Sequence, residues 1–571
     1  MYNIRPGSGR RPQAGRLVLG AFSGLNTAKD PQALALNEAA ACLNVDVSNG
    51  TLRGLYGPGT TVATVGGSKK HVHYEDGLSW YSNADPQFHC YDAAYAVTGR
   101  RYSLYSTSSG GSGYASYANG TVSAKRLGID APGSAPTAGT GSASARWYRY
   151  TYVTNRASTS NAPMESNPSS TARLTTTTVN VTASADAAVD GIRMYASDGD
   201  VNGPYYLTDT FTNTTTAVTP SATNVTATPL SWEIGGRDDN ASGYIDDHSP
   251  GPSPNTVSSA LHSAVLPGTI LPATGIMFAG IGSYLQWSEV GYPWYWPNSN
   301  GWRCDSYIEC IVTDQATTYV LTKTAIYVIT GTDDEQLNIQ RSRSYMGTPW
   351  GHSAVMTPYG LVFQTTGGIA LFDGNTSRII TEGILAPGDL TKNYAAVWHE
   401  NQLLLVSQSD SSGGYALDFS QGLGAIRITT HNIPARAITL ADAHATPGPF
   451  VATWADGYVG PWRPRQRGNV GGASPLPWSW KTGKVGSAQI AGASPGRPFY
   501  APRIWVDGTG DVSISVRAGR GDDTTIGTQV VTGDSWLPGS WGEVDWLELT
   551  ISSAGGAGVL RGLEIEYEVA R

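Results

Sequence analysis

GIMFAG (Gly275–Gly280), TYVLT (Thr318–Thr322), GLVFQ (Gly360–Gln364), QLLLVS (Gln402–Ser407) and FVATW (Phe450–Trp454) form one series of short apolar runs. Measured at Met277, Tyr319, Leu361, Leu403 and Val451, the steps between them are 42, 42, 42 and 48 residues. A polar or glycine-containing turn follows each run, and then a second run: Tyr284–Trp287, Ile326–Ile329, Ile369–Phe372, Tyr415–Phe419 and Gly457–Val459. A hairpin-bearing unit of roughly 40–50 residues is the length of a propeller blade. The interval therefore predicts propeller-like repeated antiparallel β-sheets over residues 255–470. No adjacent Trp-Asp pair marks the repeats, so the expectation rests on spacing alone.

Working outward, residues 140–230 read as an inserted immunoglobulin/fibronectin III-like sandwich. Tyr148, Tyr150 and Tyr152 alternate with Arg149 and Thr151, and Thr171–Thr182, Ile192–Tyr195 and Tyr205–Thr212 supply further short strands. Residues 475–571 read as a C-terminal β-sandwich-like domain. Val512, Ile514 and Val516 share a face, as do Leu547, Leu549 and Ile551. In the last strand Leu563, Ile565, Tyr567 and Val569 interleave with Glu564, Glu566 and Glu568, which predicts carboxylates pointing out to solvent. Upstream, residues 1–20 form a basic arm with Arg5, Arg10, Arg11 and Arg16. Residues 21–130 form a β-rich segment assigned to the propeller or a platform on it. The one helix expected there begins at Asp30-Pro31 and runs through Leu34, Leu36 and Glu38 to Leu43.

Composition agrees with a β-built chain. Only 14 % of the 571 residues are charged, while 69 glycines and 33 prolines supply turns. The net charge of −8 disfavours a surface devoted to nucleic-acid binding. Cys42, Cys90, Cys304 and Cys310 lack paired metal-ligand spacing and read as free thiols. No run approaches a signal peptide or a membrane span, so the chain is expected to fold in a cytoplasm.

Chemistry-bearing motifs are sparse. Gly351-His352-Ser353-Ala354-Val355 begins like a nucleophile elbow, but Val355 stands where the second glycine belongs, and no catalytic residue is assigned. Asp238, Asn240, Ser242 and Asp246 follow the oxygen spacing of a Ca²⁺ loop, with Gly243 at the turn. Ser249 stands where a bidentate Glu is needed, so calcium is the one cofactor considered.

A resemblance enters near the N-terminus. Phe22, Gly24, Leu25, Asn26, Asp30, Pro31, Asn44, Asp46, Gly50 and Arg53 resemble the opening of the tail nozzle (tail tubular protein B, phage stabilisation protein) class of short-tailed bacteriophages. Ser288–Pro297 and the terminal stretches Trp546–Ile551 and Leu563–Tyr567 are similar to later parts of that class. The resemblance implies a non-enzymatic virion protein of the viral tail, assembled in the bacterial cytoplasm. It also implies a homohexameric ring that extends the portal–adaptor channel, retains and releases double-stranded DNA without reading its sequence, and docks tail fibres or a tip protein. Gate loops would then be sought at residues 106–120 and between Trp462 and Trp480. Two other readings compete: a virion receptor or glycan-binding protein, and a capsule-degrading enzyme.

Overall fold

The computed structural model describes residues 13–64, 71–75, 79–83, 91–95, 100–105, 114–118, 122–125, 131–153, 166, 168–185, 189–199, 201, 205–220, 262–265, 275–281, 283–287, 300–314, 317–331, 337–441, 447–465, 472–486, 489, 498–519, 525–532, 535–538 and 543–569. Nearly all of its regular structure is antiparallel β-sheet, and no sheet closes into a barrel. Two compact units are present. One comprises Met1–Ser82, His352–Asp373 and Ser377–Arg571, and the other Asn83–Gly351 with Gly374–Thr376.

The second unit contains two of the repeats. His262–Val265, Gly275–Ile281, Tyr284–Trp287 and Gly301–Arg303 form one four-stranded meander, and Ile308–Asp314, Thr317–Thr322, Ile326–Thr330 and Asn338–Arg341 form the next. The two sheets share a core in which Ile276, Phe278 and Leu285 meet Ile311, Val320 and Tyr327. An earlier meander spans Tyr91–Tyr95, Arg100–Tyr105, Tyr114–Ala118 and Val122–Lys125. Tyr114–Ala118 is thus a paired strand inside the stretch expected to be a free Gly/Ser loop.

Between these meanders lies a two-layer sandwich. Thr137–Ala138, Val179–Asn180 and Ala217–Val218 make one sheet, and Ala172–Leu174, Arg146–Val153, Gly191–Ser197 and Tyr206–Thr212 make the other. Tyr148, Tyr150 and Tyr152 fill the shared core with Val179, Ile192, Met194 and Val218, as the alternation predicts. The opposite face is also covered, because the Arg149 guanidinium lies 5.0 Å over the Tyr205 ring.

Three more meanders belong to the first unit. They are Val355–Thr357 to Ser377–Ile379, Tyr394–His399 to Arg427–His431, and Ala435–Leu440, Pro449–Thr453 and Tyr458–Pro461 completed by Ala63–Thr64. Ala395, Val397, Leu404 and Val406 pack against Ile438 and Val451 of the following sheet. All five sequence markers fall in the second strand of their sheets. The long last step has a simple origin. Eight residues separate Leu440 from Pro449, whereas two separate His399 from Gln402, and the six extra residues turn 42 into 48. Glu400 and Asn401, with φ of 48° and 61°, form the left-handed pair that a two-residue hairpin turn requires.

Besides the two-stranded sheet of His71–Glu75 and Ser79–Asn83, this unit holds a sandwich made from early and late strands of the chain. Gln13–Leu19, Val45–Asp46 and Leu52–Gly54 join Phe499–Thr509 and Val559–Val569 in one sheet, while Ala39–Leu43 joins Trp478–Thr482, Asp511–Gly519 and Trp546–Ser553 in the other. Val512, Ile514, Val516, Leu547, Leu549, Ile551, Leu563 and Ile565 lie in the core, as their alternation predicts.

Three expectations need correction. The helix from Asp30 to Leu43 does not form: turns occupy 31–38 and Ala39–Leu43 is a strand. Pairing of Cys42 with Trp480 and Leu43 with Ser479 overrides the helix preference of the alanines. The segment after residue 20 is not simply part of the repeats, since its first strands belong to the terminal sandwich. Nor do the terminal glutamates simply face water. Arg16 reaches Glu564 and Glu566 at 2.9 and 3.0 Å, and Arg503 also pairs with Glu566. Arg16, assigned to the arm, is therefore a strand residue bound to the chain's own last strand.

Candidate assembly site

The ten residues singled out near the N-terminus form one connected latch in the first unit. It starts with Phe22, which is fully buried and meets Trp480 edge-on at 5.1 Å between ring centroids. Trp480 Nε1 donates to Ser23 O at 3.2 Å, so the ring is oriented as well as buried. Phe22 N donates to Gly50 O at 2.9 Å. Gly50 has φ of +73°, and a Cβ there would stand 2.9 Å from Ala21 Cα, so both conformation and space call for glycine.

Gly24 is a point of close backbone approach. A Cβ at this position would lie 2.2 Å from Ile428 O, the atom that accepts the Leu25 N–H at 2.6 Å. Asn26 N donates to Ala39 O at 2.9 Å, and its side-chain Nδ2 donates to Glu38 Oε1 at 2.9 Å. Glu38 also accepts from Lys29 Nζ and from Ala35 N, which ties the turn that replaces the expected helix. Asp30 Oδ1 accepts from Gln32 N at 2.8 Å as a turn former, and Pro31 O accepts from Lys484 N at 3.0 Å.

Asn44 occupies the left-handed region at φ 52°, where Asn is among the least strained side chains. Its Nδ2 donates to Asn432 Oδ1 at 2.8 Å and to Pro477 O at 2.9 Å, while its Oδ1 accepts from Asn432 N at 3.0 Å. That one amide joins three distant parts of the chain.

Asp46 is the electrostatic centre of the latch and is 3 % exposed. Arg53 Nε donates to Asp46 Oδ2 at 2.7 Å, Ser48 N donates to its Oδ1 at 3.0 Å, and Arg465 Nε lies 3.3 Å from Oδ1. Arg465 extends the network, its Nη2 standing 2.7 Å from Asp418 Oδ1. Arg427 Nη1 donates to Val47 O and Ser48 O, both at 2.7 Å. Burial raises the Asp46 carboxyl, but Arg53, Arg465 and the Ser48 N–H outweigh it and leave the group below its ordinary value of 3.8.

The structure thus joins Phe22, Gly24, Leu25, Asn26, Asn44, Asp46, Gly50 and Arg53 to the interior, with Asp30 and Pro31 in the adjoining turn. Their partners Trp480, Ile428, Asn432, Asp418, Arg427 and Arg465 had no signal in the sequence, because each lies hundreds of residues away. Asp238, Asn240, Ser242 and Asp246, and also Ser288–Pro297, lie outside the described residues. Among the described residues no group of three or more His, Cys, Asp or Glu converges as a metal site. Trp462 and Trp480, which bound one expected gate loop, are fully buried core residues, as is Trp478. Cys42, Cys304 and Cys310 are free and buried. No described helix is long and apolar enough to cross a membrane. The chain matches no family model and no curated protein.

Proposed function

We propose that this chain is a structural tail nozzle subunit of a short-tailed bacteriophage virion. Copies would close into a homohexameric ring beneath the tail adaptor ring, carry tail fibres or a tip protein, and retain and then release double-stranded DNA. The observation that carries this reading is the latch. The N-terminal residues that resemble the nozzle class act together, binding the beginning of the chain to its last sheets and to the repeats. A tube-wall subunit under internal pressure needs ties of this kind, here from Gln13–Leu19 and Leu52–Gly54 to Val559–Val569.

On this proposal the successive meanders are propeller blades. Their shared cores and the completion of the last sheet by Ala63–Thr64 support it, since a propeller is closed when one end of the chain completes the final blade. The mild negative charge suits a channel wall along which a phosphate backbone slides without sticking. No reacting group is required, and the chain works as an assembly protein, not an enzyme. Electron microscopy of virions labelled with an antibody to this chain tests the reading. Label confined to the distal tail tube supports it, and label on isolated surface spikes contradicts it.

One observation favours a second reading, glycan recognition. In the second unit Trp302, Tyr307 and Tyr345 are 45, 60 and 87 % exposed, and exposed aromatic rings suit sugar stacking. Saturable binding on a glycan array by a subunit that forms no ring would favour it.

A further inference from the structure

A groove opens beside the latch, in the first unit, with a volume of about 620 Å³. Its wall carries three arginines, Arg53, Arg465 and Arg561, and no Asp or Glu. The acids that hold these arginines are set off the wall: Asp46 and Asp418 are nearly fully buried, and Asp507 binds Arg561 Nε at 2.8 Å. Asp46 lies between Arg53 and Arg465 and fixes the two guanidinium groups side by side. Nε and Nη2 of both are engaged in this way, whereas neither Nη1 group donates to any described residue. Each guanidinium fork is therefore pre-organised with donors left over, an arrangement suited to an oxyanion that takes several N–H groups at once.

The rest of the wall says what the anion is attached to. Thr51 and Asn49 add neutral polar side chains, and Tyr56, Pro464, Pro475 and Val559 add mostly apolar ones. Inorganic phosphate alone would leave most of the volume unfilled, and grooves of roughly 300–1,000 Å³ suit molecules of drug size. We infer that this groove binds a phosphate monoester carrying a ring. Its phosphate would sit on the Arg53–Arg465–Arg561 side and its ring on Tyr56 and the prolines. A free nucleoside monophosphate and the 5′-phosphate end of a nucleic-acid strand both present that chemistry. The inference does not rest on ring assembly and holds for the isolated subunit.

Calorimetric titration of the full chain tests it, with adenosine 5′-monophosphate, adenosine, and a short oligothymidine with and without a 5′-phosphate. Saturable binding that requires the phosphate is expected for at least one of the two phosphorylated probes. The stronger binder identifies the source as free nucleotide or strand end. Arg561→Gln is the test variant, because the ion pair of Arg561 with Asp507 is exposed on both sides and such pairs contribute little to stability. Loss of one charge-assisted contact should weaken binding about tenfold or more. Thr51→Val provides a second, smaller loss. Equal binding with and without the phosphate, no saturable binding of any probe at millimolar concentration, or unchanged affinity in both variants would each overturn the inference.

Discussion

Asp46 is nearly fully buried between two arginines, so removing its charge takes the counter-ion from Arg53 and leaves Arg465 with Asp418 alone. Asp46→Asn should lower stability by about 3 kcal/mol in denaturant unfolding at pH 7. An unchanged midpoint would show that the network is incidental. Because the folded carboxyl titrates below 3.8, the contribution of Asp46 is complete above that value and fades as pH falls through the folded one. Gly24→Ala is a steric test of the same latch, since its Cβ has no room beside Ile428 O. Loss of soluble protein or a large drop in melting temperature is expected, and a wild-type melting curve would contradict the close approach.

His431 gives a pH dependence of its own. It is fully buried, with Nε2 donating to Leu405 O at 2.9 Å and the ring 4.7 Å from that of Trp462. Burial pushes its pKa down from 6.5 to about 4, and the Leu405 carbonyl offsets this only partly. The unfolded chain therefore takes up the proton first. Stability should fall by about 3 kcal/mol as pH drops from 6.5 to 4, then level off from this source. Urea unfolding of wild type and His431→Gln at pH 7 and pH 4.5 checks it. The variant should lose part of the pH slope, and equal slopes would remove His431 as a cause.

At the scale of elements, the strand Ala63–Thr64 completes the sheet of Tyr458–Pro461, and Val62 N donates to Val459 O at 2.8 Å. Val62→Pro removes that donor and loosens the strand, which should cost about 1–2 kcal/mol. The uncovered edge should also promote concentration-dependent association, visible by light scattering. Unchanged melting and scattering would mean that the edge is closed by other means. Strand periodicity was readable because a buried face repeats every two residues, as at Ile514 and Leu549, and because the hairpin interval survives small loop changes. The stretch Ala39–Leu43 was misread because its helix preference is local, whereas its strand pairing with Trp478–Thr482 is made across more than 400 residues. The same distance hid half of the latch. Asp46 and Arg53 are near neighbours in sequence, but nothing local points to Arg465 or Asn432.

For the whole molecule, the division into strands from both chain ends and a middle of repeated meanders implies late folding of the terminal sandwich. The sheet that holds Gln13–Leu19 and Leu52–Gly54 cannot be completed until Val559–Val569 is available. Once formed, this sheet ties Gln13–Leu19 and Leu52–Gly54 to Val559–Val569. A C-terminal truncation ahead of Val559 should therefore fail to yield soluble protein, because it strands the edges of Gln13–Leu19 and Leu52–Gly54.

The mass of the purified chain in solution, read by native mass spectrometry over a range of concentrations and in the presence of the proposed tail adaptor ring, tests self-assembly most directly. Six copies in a closed ring, alone or on the adaptor, is the predicted result. A species that stays monomeric under all of these conditions would contradict the account.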